Sequence, residues 1–528
     1  MTYQKNKNVS KGSMLVYALV IMTVVGILLT SIIGFVVSQL QFSSNRVARE
    51  EAFQIAETGI YSYRWYLAHA TDGMNAQQLK VFWSDAGTLG VSGPVEVDYT
   101  DPGTGDVIGH YSLTLDPPDP SSTIATVTVV GTSASDAGVS RTVKARFRRP
   151  SWSEYAVLAD EFVRFGAGTE VWGKIHSNNG VRFDGLAHNS VTSLVPDVND
   201  PDHTGNNEFG VHTHASSTHP PDPPNSTIVG ALASERIPNS VPDRADIFEG
   251  GRQFPVPEVS FTGVQSDLTN MKNTACNDTG SGCAVTNNCW ASGCYYDNSN
   301  VGRRIVLKTD GTFDVYTVNA YDATTFSILS FIGRRSNNGA SCTTNVTTST
   351  GSNAQCQNRN LGGGVTCLCN PSNKAIPDEG IIYVDDNVWL EGSIDSGVSR
   401  VTIVAGVGNM FLGNNDITYT SYDGDNILGI IGQQDVEIIR YSQNDLQIDG
   451  ALLAQNGRVG RAHYSSSDHR NSITINGAIA TKQRYGFAWT DGSGYTDRYL
   501  NFDNNLLYYP PPYFPTGTEY SIDLWEEL

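Results

Sequence analysis

The chain has 528 residues, with 34 lysines and arginines against 54 aspartates and glutamates, a formal charge of −20. Such a balance opposes non-specific attraction to nucleic acid and to anionic lipid surfaces, so no specific nucleic-acid partner is expected. The length supports more than one domain and a sizeable core. The sequence contains no G-x-S-x-G, H-E-x-x-H, P-loop, dinucleotide or C-x-x-C-H motif, and so carries no signature of hydrolase, nucleotide or haem chemistry.

A short leader, MTYQKNKNVSKG, carries Lys5, Lys7 and Lys11 and is followed by an uncharged apolar run over residues 12–37. Met14 to Val37 is 24 residues, about 36 Å of helix, which exceeds the roughly 30 Å of a bilayer core. The run is too long for the apolar core of a secretory signal, and the small residue Gly12 lies before it rather than after it. Cleavage after Gly12 therefore keeps the hydrophobic helix. Val47, Phe53, Ala56, Ile60, Tyr63 and Leu67 recur at spacings of three, four and near multiples, which extends the helix beyond the membrane with one apolar face.

This arrangement resembles the N-terminus of type IV prepilins and pseudopilins. The stretch AREEAFQIAETGIYSYRWYLAHA resembles the AF-x-x-AE segment of PilX-like minor pilins through Ala52, Phe53, Ala56 and Glu57. The resemblance implies a prepilin leader at 1–12, cleavage by prepilin peptidase after Gly12, methylation of the new first residue, Ser13, and filament packing through Tyr17, Phe53, Ala56, Glu57 and Ile60. Major pilins of this kind carry a glutamate at the fifth mature position, where this chain has Tyr17. A buried carboxylate is costly unless paired, so a subunit with nothing stacked above it does better without one, as at a filament tip.

Residues 71–92 read as a mixed connection. VEVDYTD from Val95, HYSLTLD from His110, IATVTVVGTS from Ile124 and SRTVKARFRR from Ser140 alternate with period two between Gly-, Pro- and Asp-rich turns, predicting a small antiparallel meander. A pilin-like unit is thus expected at 13–149, with its helix over 13–70 and its meander over 71–149. From Ser151 onward Gly, Asn and Asp are frequent and no helical period appears apart from a short piece near Leu268, so 150–528 is expected as one large β domain. An apolar-x-apolar-x-Gly echo occurs in VWGKIHSNNGVRF at Val171, LQIDGALLAQNGRVG at Leu446 and ITINGAIATKQRYGF at Ile473. Partial copies, IVGALAS at Ile228 and VWLEGSIDS at Val388, join it, and the pattern favours a β-helix or related solenoid over a β-sandwich. The expected fold class is α+β and mostly β.

Two stretches break the echo and read as exposed loops, the His- and Pro-rich 196–224 and the Cys-rich 272–374. The second holds every cysteine: Cys276, Cys283, Cys289, Cys294, Cys342, Cys356, Cys367 and Cys369. They are even in number and lack the paired C-x-x-C spacing of zinc ligands, so extracellular disulfides of open connectivity are expected. In the first stretch His203, His212, His214 and His219 lie near Asp200 and Asp202. A His-x-His spacing can place two imidazoles on one metal, but a solvated, Pro-flanked loop is the expectation and no metal ligand is assigned. Calcium suits acidic turns such as DVNDPD at Asp197 and YDGDN at Tyr422, although neither is an EF-hand, and no other cofactor is expected.

Asp385, Asp386, Asp435 and Glu437 are the carboxylates that a polysaccharide-active β-helix would array across adjacent rungs, yet outward acidic residues also keep a sheet soluble. Near the end Tyr508, Tyr509, Tyr513 and Phe514 flank Pro510 to Pro512. This stiff, extended tail is expected to pack its rings on the β domain and cap a solenoid end.

The expected function is that of a minor, tip-type pilin-like subunit, structural and adhesive rather than enzymatic. It would be a single-pass protein of the cytoplasmic membrane before assembly and part of an extracellular filament afterwards. Other pilins, prepilin peptidase and a surface receptor or glycan are the expected partners. A membrane-tethered polysaccharide enzyme and a pseudopilin of a secretion or DNA-uptake machine are the alternatives.

Overall fold

The computed structural model describes residues 13–74, 76–118, 122–202, 205–216, 230–261, 264–278, 282–283, 287–298, 301–334, 341–345, 359–361, 365–367, 372–378, 380–395, 397, 399–517 and 520–528. Helix α1 runs unbroken over Ser13–Ala70. From Met14 to Phe42 every large apolar side chain is exposed, and among the described residues this is the one helix long and apolar enough to cross a membrane.

The second half of α1 lies on an antiparallel sheet of β1 (Val95–Thr100), β2 (Val107–Asp116), β3 (Ile124–Ser133), β4 (Ser140–Arg148) and a C-terminal strand, Ser521–Glu527, in that order. Strand alternation aims Leu113, Leu115, Val127, Val129, Val143, Ala145 and Phe147 at Ile55, Ala56, Ile60, Tyr63 and Leu67 of the helix. A second helix, α2 (Ala76–Ser84), occupies part of the stretch expected as a mixed connection.

The C-terminal strand pairs with β4 from Ser521 opposite Arg148 to Glu527 opposite Val143. Residues 521–527 therefore belong to the sheet under α1, not to the large domain in which 150–528 was expected to place them. The physical reason is the open edge that β4 would otherwise present. A bidentate pair between Arg146 and Asp523, at 2.8 and 3.0 Å, and the edge-on packing of Trp525 against Phe53 fix the strand there.

The large domain is a parallel β-helix inserted between β4 and the C-terminal strand. One face stacks residues 294–296, 382–384, 403–405, 430–432, 452–454, 479–481, 157–159, 175–177, 191–193 and 252–253. The chain thus enters the middle of its own stack at Val157, builds to one end, crosses to the other at Gly293–Tyr296 and builds back until 479–481 meets 157–159. Entry and exit lie side by side as a result. The Trp152 amide donates to the Pro515 carbonyl at 3.1 Å and the Gly517 amide to the Pro150 carbonyl at 2.7 Å.

Ile382, Ile403, Ile430, Leu452, Ile479, Val157 and Ile175 point inward along this face and form a continuous apolar interior. The glycines of the sequence echo sit at a corner of the coil. Gly450 and Gly477 stack directly, with φ of 146° and 157°, and a Cβ on Gly477 would overlap the Gly450 carbonyl. At that approach no other residue fits. Of the copy at Ile228, residues 228 and 229 lie outside the described residues, and Ala233–Glu235 forms a 3-10 turn rather than a strand.

The outer side of the same face is also apolar, and Leu158, Tyr383, Val404, Ile431 and Leu453 are covered by α3 (Val264–Ala275), Trp152, Leu506 and Phe514. The Pro-rich tail lies here. Thr402 Oγ1 donates to the Pro512 carbonyl at 2.5 Å, and the Arg400 guanidinium sits 4.1 Å over the Tyr509 ring. The tail therefore covers a side of the solenoid rather than capping its end, because that side would otherwise expose aliphatic residues to water.

The expectation of an exposed loop over 272–374 also changes. Gly293–Tyr296 and Gly302–Leu307 are terminal rungs, pairing in parallel with 382–384 and 388–392, and Thr312–Tyr321 adds an antiparallel strand. Cys294, Ile305, Leu307 and Phe313 carry the apolar interior into this segment. Disulfide Cys276–Cys283 closes a short loop after α3, and Cys289–Cys294 joins the hairpin strand Asn288–Trp290 to the terminal rung. The side chains of Cys342, Cys356, Cys367 and Cys369 lie outside the described residues.

Candidate functional site

The residues expected to pack in a filament divide into two groups. Ala56 and Ile60 are buried against the chain's own sheet, so they hold the head to the helix and are not open to a neighbouring subunit. Phe53 is half-buried against Trp525, and Glu57 is half-buried. Tyr17 lies on the uncovered apolar half of α1. Gly12 and the Ser13 side chain lie outside the described residues. The apolar stripe read from the sequence is buried from Ala56 to Leu67, half-buried at Phe53 and exposed at Val47, and its partner is intramolecular: Glu51 strengthens the contact by accepting from Ser133 and Ser135 hydroxyls at 2.6 and 2.8 Å.

The segment 196–224 is solvated only in part where it is described: Pro196, Asn199, Pro201, Asp202, Gly205, Asn206 and Ser216 are exposed, but Asp200 and residues 208–215 are buried. Asp197–Val198 and Glu208–Phe209 pair as a short hairpin, and Val211–His212 stacks in parallel on Val181 and Arg182 as a further rung. Alternation sends Val211 and Ala215 into the solenoid core and turns His212 and His214 to the opposite side, where Asp200 and Glu208 meet them. All four side chains are buried.

His214 Nε2 lies 3.1 and 3.2 Å from the two Glu208 oxygens and 3.7 Å from Asp200 Oδ2. His212 Nε2 lies 3.2 Å from Glu208 Oε2 and 3.7 Å from Asp200 Oδ2. Arg182 bridges Asp184 at 2.8 Å and Asp200 at 3.3 Å. Asp202, grouped with this set by sequence, is instead paired with Arg164 and Arg484, and His203 and His219 lie outside the described residues. Glu208 escaped the sequence reading, although EFGVHTH places it four residues before the first histidine of the pair.

The carboxylates considered for catalysis serve separate structural contacts. Asp385 accepts from Lys272 at 2.5 Å and Tyr295 at 3.0 Å, and Asp386 accepts from the Asn387 amide at 2.8 Å. Asp435 accepts from the Arg458 amide at 2.8 Å, extending a corner ladder in which Asn387 accepts from the Asn409 amide and Asn409 from the Asp435 amide.

Glu437 differs from these three, because burial pushes its carboxyl up to about 7 against the charge of Arg458 and the hydrogen bond from the Ala462 amide. Its folded pKa exceeds its unfolded value, so the native state holds the extra proton and stability falls as pH rises from about 4.5 through 7. The full penalty above that window is on the order of 3 kcal/mol. Glu437→Gln is expected to match the wild type at pH 4 and to be more stable at pH 8, read as urea midpoints across that range. Parallel curves for the two proteins would show that burial does not raise the Glu437 carboxyl above its unfolded value.

The apolar helix is bare over its first half and seated on an antiparallel sheet over its second, with a β-helix spliced into that sheet. Residues 11–60 match the family model described as PilX N-terminal, to which the leading segment is similar. Among solved structures, the competence-associated pilin ComZ from Thermus thermophilus matches at 13% identity and a TM-score of 0.28, covering 91% of this chain and 98% of that one. No curated protein matches the chain significantly.

Proposed function

We propose that this chain is a minor, tip-type subunit of a type IV pilus-like filament, anchored in the cytoplasmic membrane before assembly and adhesive afterwards. The observation that carries the reading is the division of α1 between a half sealed by its own sheet and a half, Met14 to Phe42, that no other described residue covers. That bare half is buried by lipid first and by the helices of other pilins later. Tyr17 spares the subunit an unpaired buried carboxylate at the end of a stack. A β-helix of this size spliced into the head is too bulky to repeat along a filament, which suits a single copy at the tip, holding the disulfide-braced solenoid toward a receptor or glycan.

Prepilin peptidase would cut after Gly12 and leave Ser13 as the methylated first residue. The test is the mass and N-terminal sequence of the chain recovered from sheared surface filaments, expected to begin at Ser13. Gly12→Glu is expected to keep residues 1–12 and to vanish from the filament fraction. A Gly12→Glu chain that still matures and reaches the surface overturns the proposal.

A further inference from the structure

The cluster at Asp200, Glu208, His212 and His214 has the geometry of a metal-binding site. Four nitrogen- and oxygen-bearing side chains converge from a hairpin and the rung that follows it, with relative exposures of 1%, 0%, 0% and 1%. The five cross-distances between the imidazole nitrogens and the carboxylate oxygens run from 3.1 to 3.7 Å. Donors placed tetrahedrally at 2.0–2.1 Å from a zinc ion stand about 3.3 Å apart, within that range.

The histidine tautomer supplies an independent observation. His212 Nδ1 lies 2.8 Å from the Phe209 carbonyl oxygen, an acceptor that requires the proton on Nδ1 and leaves a lone pair on Nε2 of the neutral ring. That Nε2 is buried and makes no hydrogen bond, yet it faces Glu208 Oε2 and Asp200 Oδ2. A lone pair set against two carboxylate oxygens is repulsive unless a cation, either a proton on Nε2 or a metal ion, stands between them. The carbonyl contact on the far nitrogen is also the outer-shell partner that metal-bound histidines generally have. Asp200 is similarly oriented, accepting from the Asp202 amide at 2.8 Å and from Arg182 at 3.3 Å.

We propose that Asp200, Glu208, His212 and His214 bind one divalent transition-metal ion of the zinc class and so clamp the 197–209 hairpin to the solenoid. Two imidazoles with two carboxylates suit zinc and its neighbours, whereas calcium and magnesium take oxygen ligands. The site therefore differs in both place and chemistry from the acidic turns that suggested calcium. Of those turns, Asp197 is engaged by Asn207 at 2.5 Å and Asp423 by the Asp425 amide at 3.1 Å.

The test uses the full chain purified in detergent, stripped with a chelator, exchanged into zinc and analysed for metal content. About one zinc per chain is expected, resistant to excess calcium and magnesium, falling to below about 0.1 in the His212→Gln, His214→Gln double variant. Cobalt(II) added to the stripped wild type is expected to give the intense d–d bands of a four-coordinate site, a readout that does not depend on the variant folding. A wild type that retains no zinc overturns the proposal, as does zinc persisting in a folded double variant or cobalt showing only the weak bands of its hydrated ion.

Discussion

Gly131→Val is expected to destabilise the head formed by α1 and its antiparallel sheet while leaving the β-helix intact. Gly131 lies in β3 directly beneath α1, where a Cβ would overlap the Ala52 carbonyl oxygen and stand 2.6 Å from the Ala56 amide nitrogen. These contacts are with helix backbone, which cannot rotate aside as a side chain can. The helix must lift, and lifting it opens the packing of Ile55, Ile60, Tyr63 and Leu67 against Val127, Val129, Val143 and Phe147. The cost is at least about 3 kcal/mol. For a head of this size that lowers the melting temperature by on the order of 10 °C. Gly34→Ala is the control, since nothing lies within 4 Å of a Cβ there and the folded head should not sense it. Calorimetry of the full chain in detergent checks both, and a head transition within about 1 °C of wild type for Gly131→Val would remove the close helix–sheet contact as a source of stability.

That contact also shows what local pattern reveals and what it leaves out. The 3.6-residue period marked Ala56, Ile60, Tyr63 and Leu67 as a buried face, but a period says which side is covered and not by what. The same stripe serves a neighbouring helix or a strand pair equally well, and here it meets β2, β3 and β4. The meander was legible because each strand alternates and ends at a turn. The C-terminal strand was not, because its partner, β4, lies more than 370 residues earlier, as the Arg148 to Ser521 pairing shows.

In the solenoid, the corner glycines carried the signal, as Gly450 and Gly477 demonstrate. The rung Gly302–Leu307 was hidden by its two arginines. Arg304 is buried there only because it pairs with Glu391 of the adjoining rung, a contact that no sequence window contains. The histidine pair at His212 and His214 stood out in the sequence for the same reason of local spacing. Asp200 was named beside it, but Glu208 was not, since the register of a hairpin brings Glu208 to the pair.

The solenoid should be most sensitive to loss of a single polar side chain at Asp449. This carboxylate is fully buried, and four donors converge on it: the Tyr419 amide at 2.8 Å, the Tyr422 hydroxyl at 2.7 Å, Gln447 Nε2 at 2.9 Å and Asn476 Nδ2 at 2.8 Å. Asn476 in turn accepts from Asn501 at 2.9 Å, so one ladder of side chains crosses three successive rungs. Asp449→Leu fills the space but strands a buried backbone amide and breaks the ladder, at about 3–5 kcal/mol. Asp449→Asn keeps the shape and turns an NH₂ group toward two of the donors, so it should cost about 1–3 kcal/mol and still fall short of wild type. The ordering wild type, then Asn, then Leu is expected in urea midpoints of the solenoid transition with an unchanged m-value. An Asp449→Leu chain that unfolds at the wild-type midpoint would mean that the stacked apolar interior alone holds these rungs together. The charged hydrogen bonds would then set register without adding stability, a division of labour that the near-complete burial of Asp449 argues against.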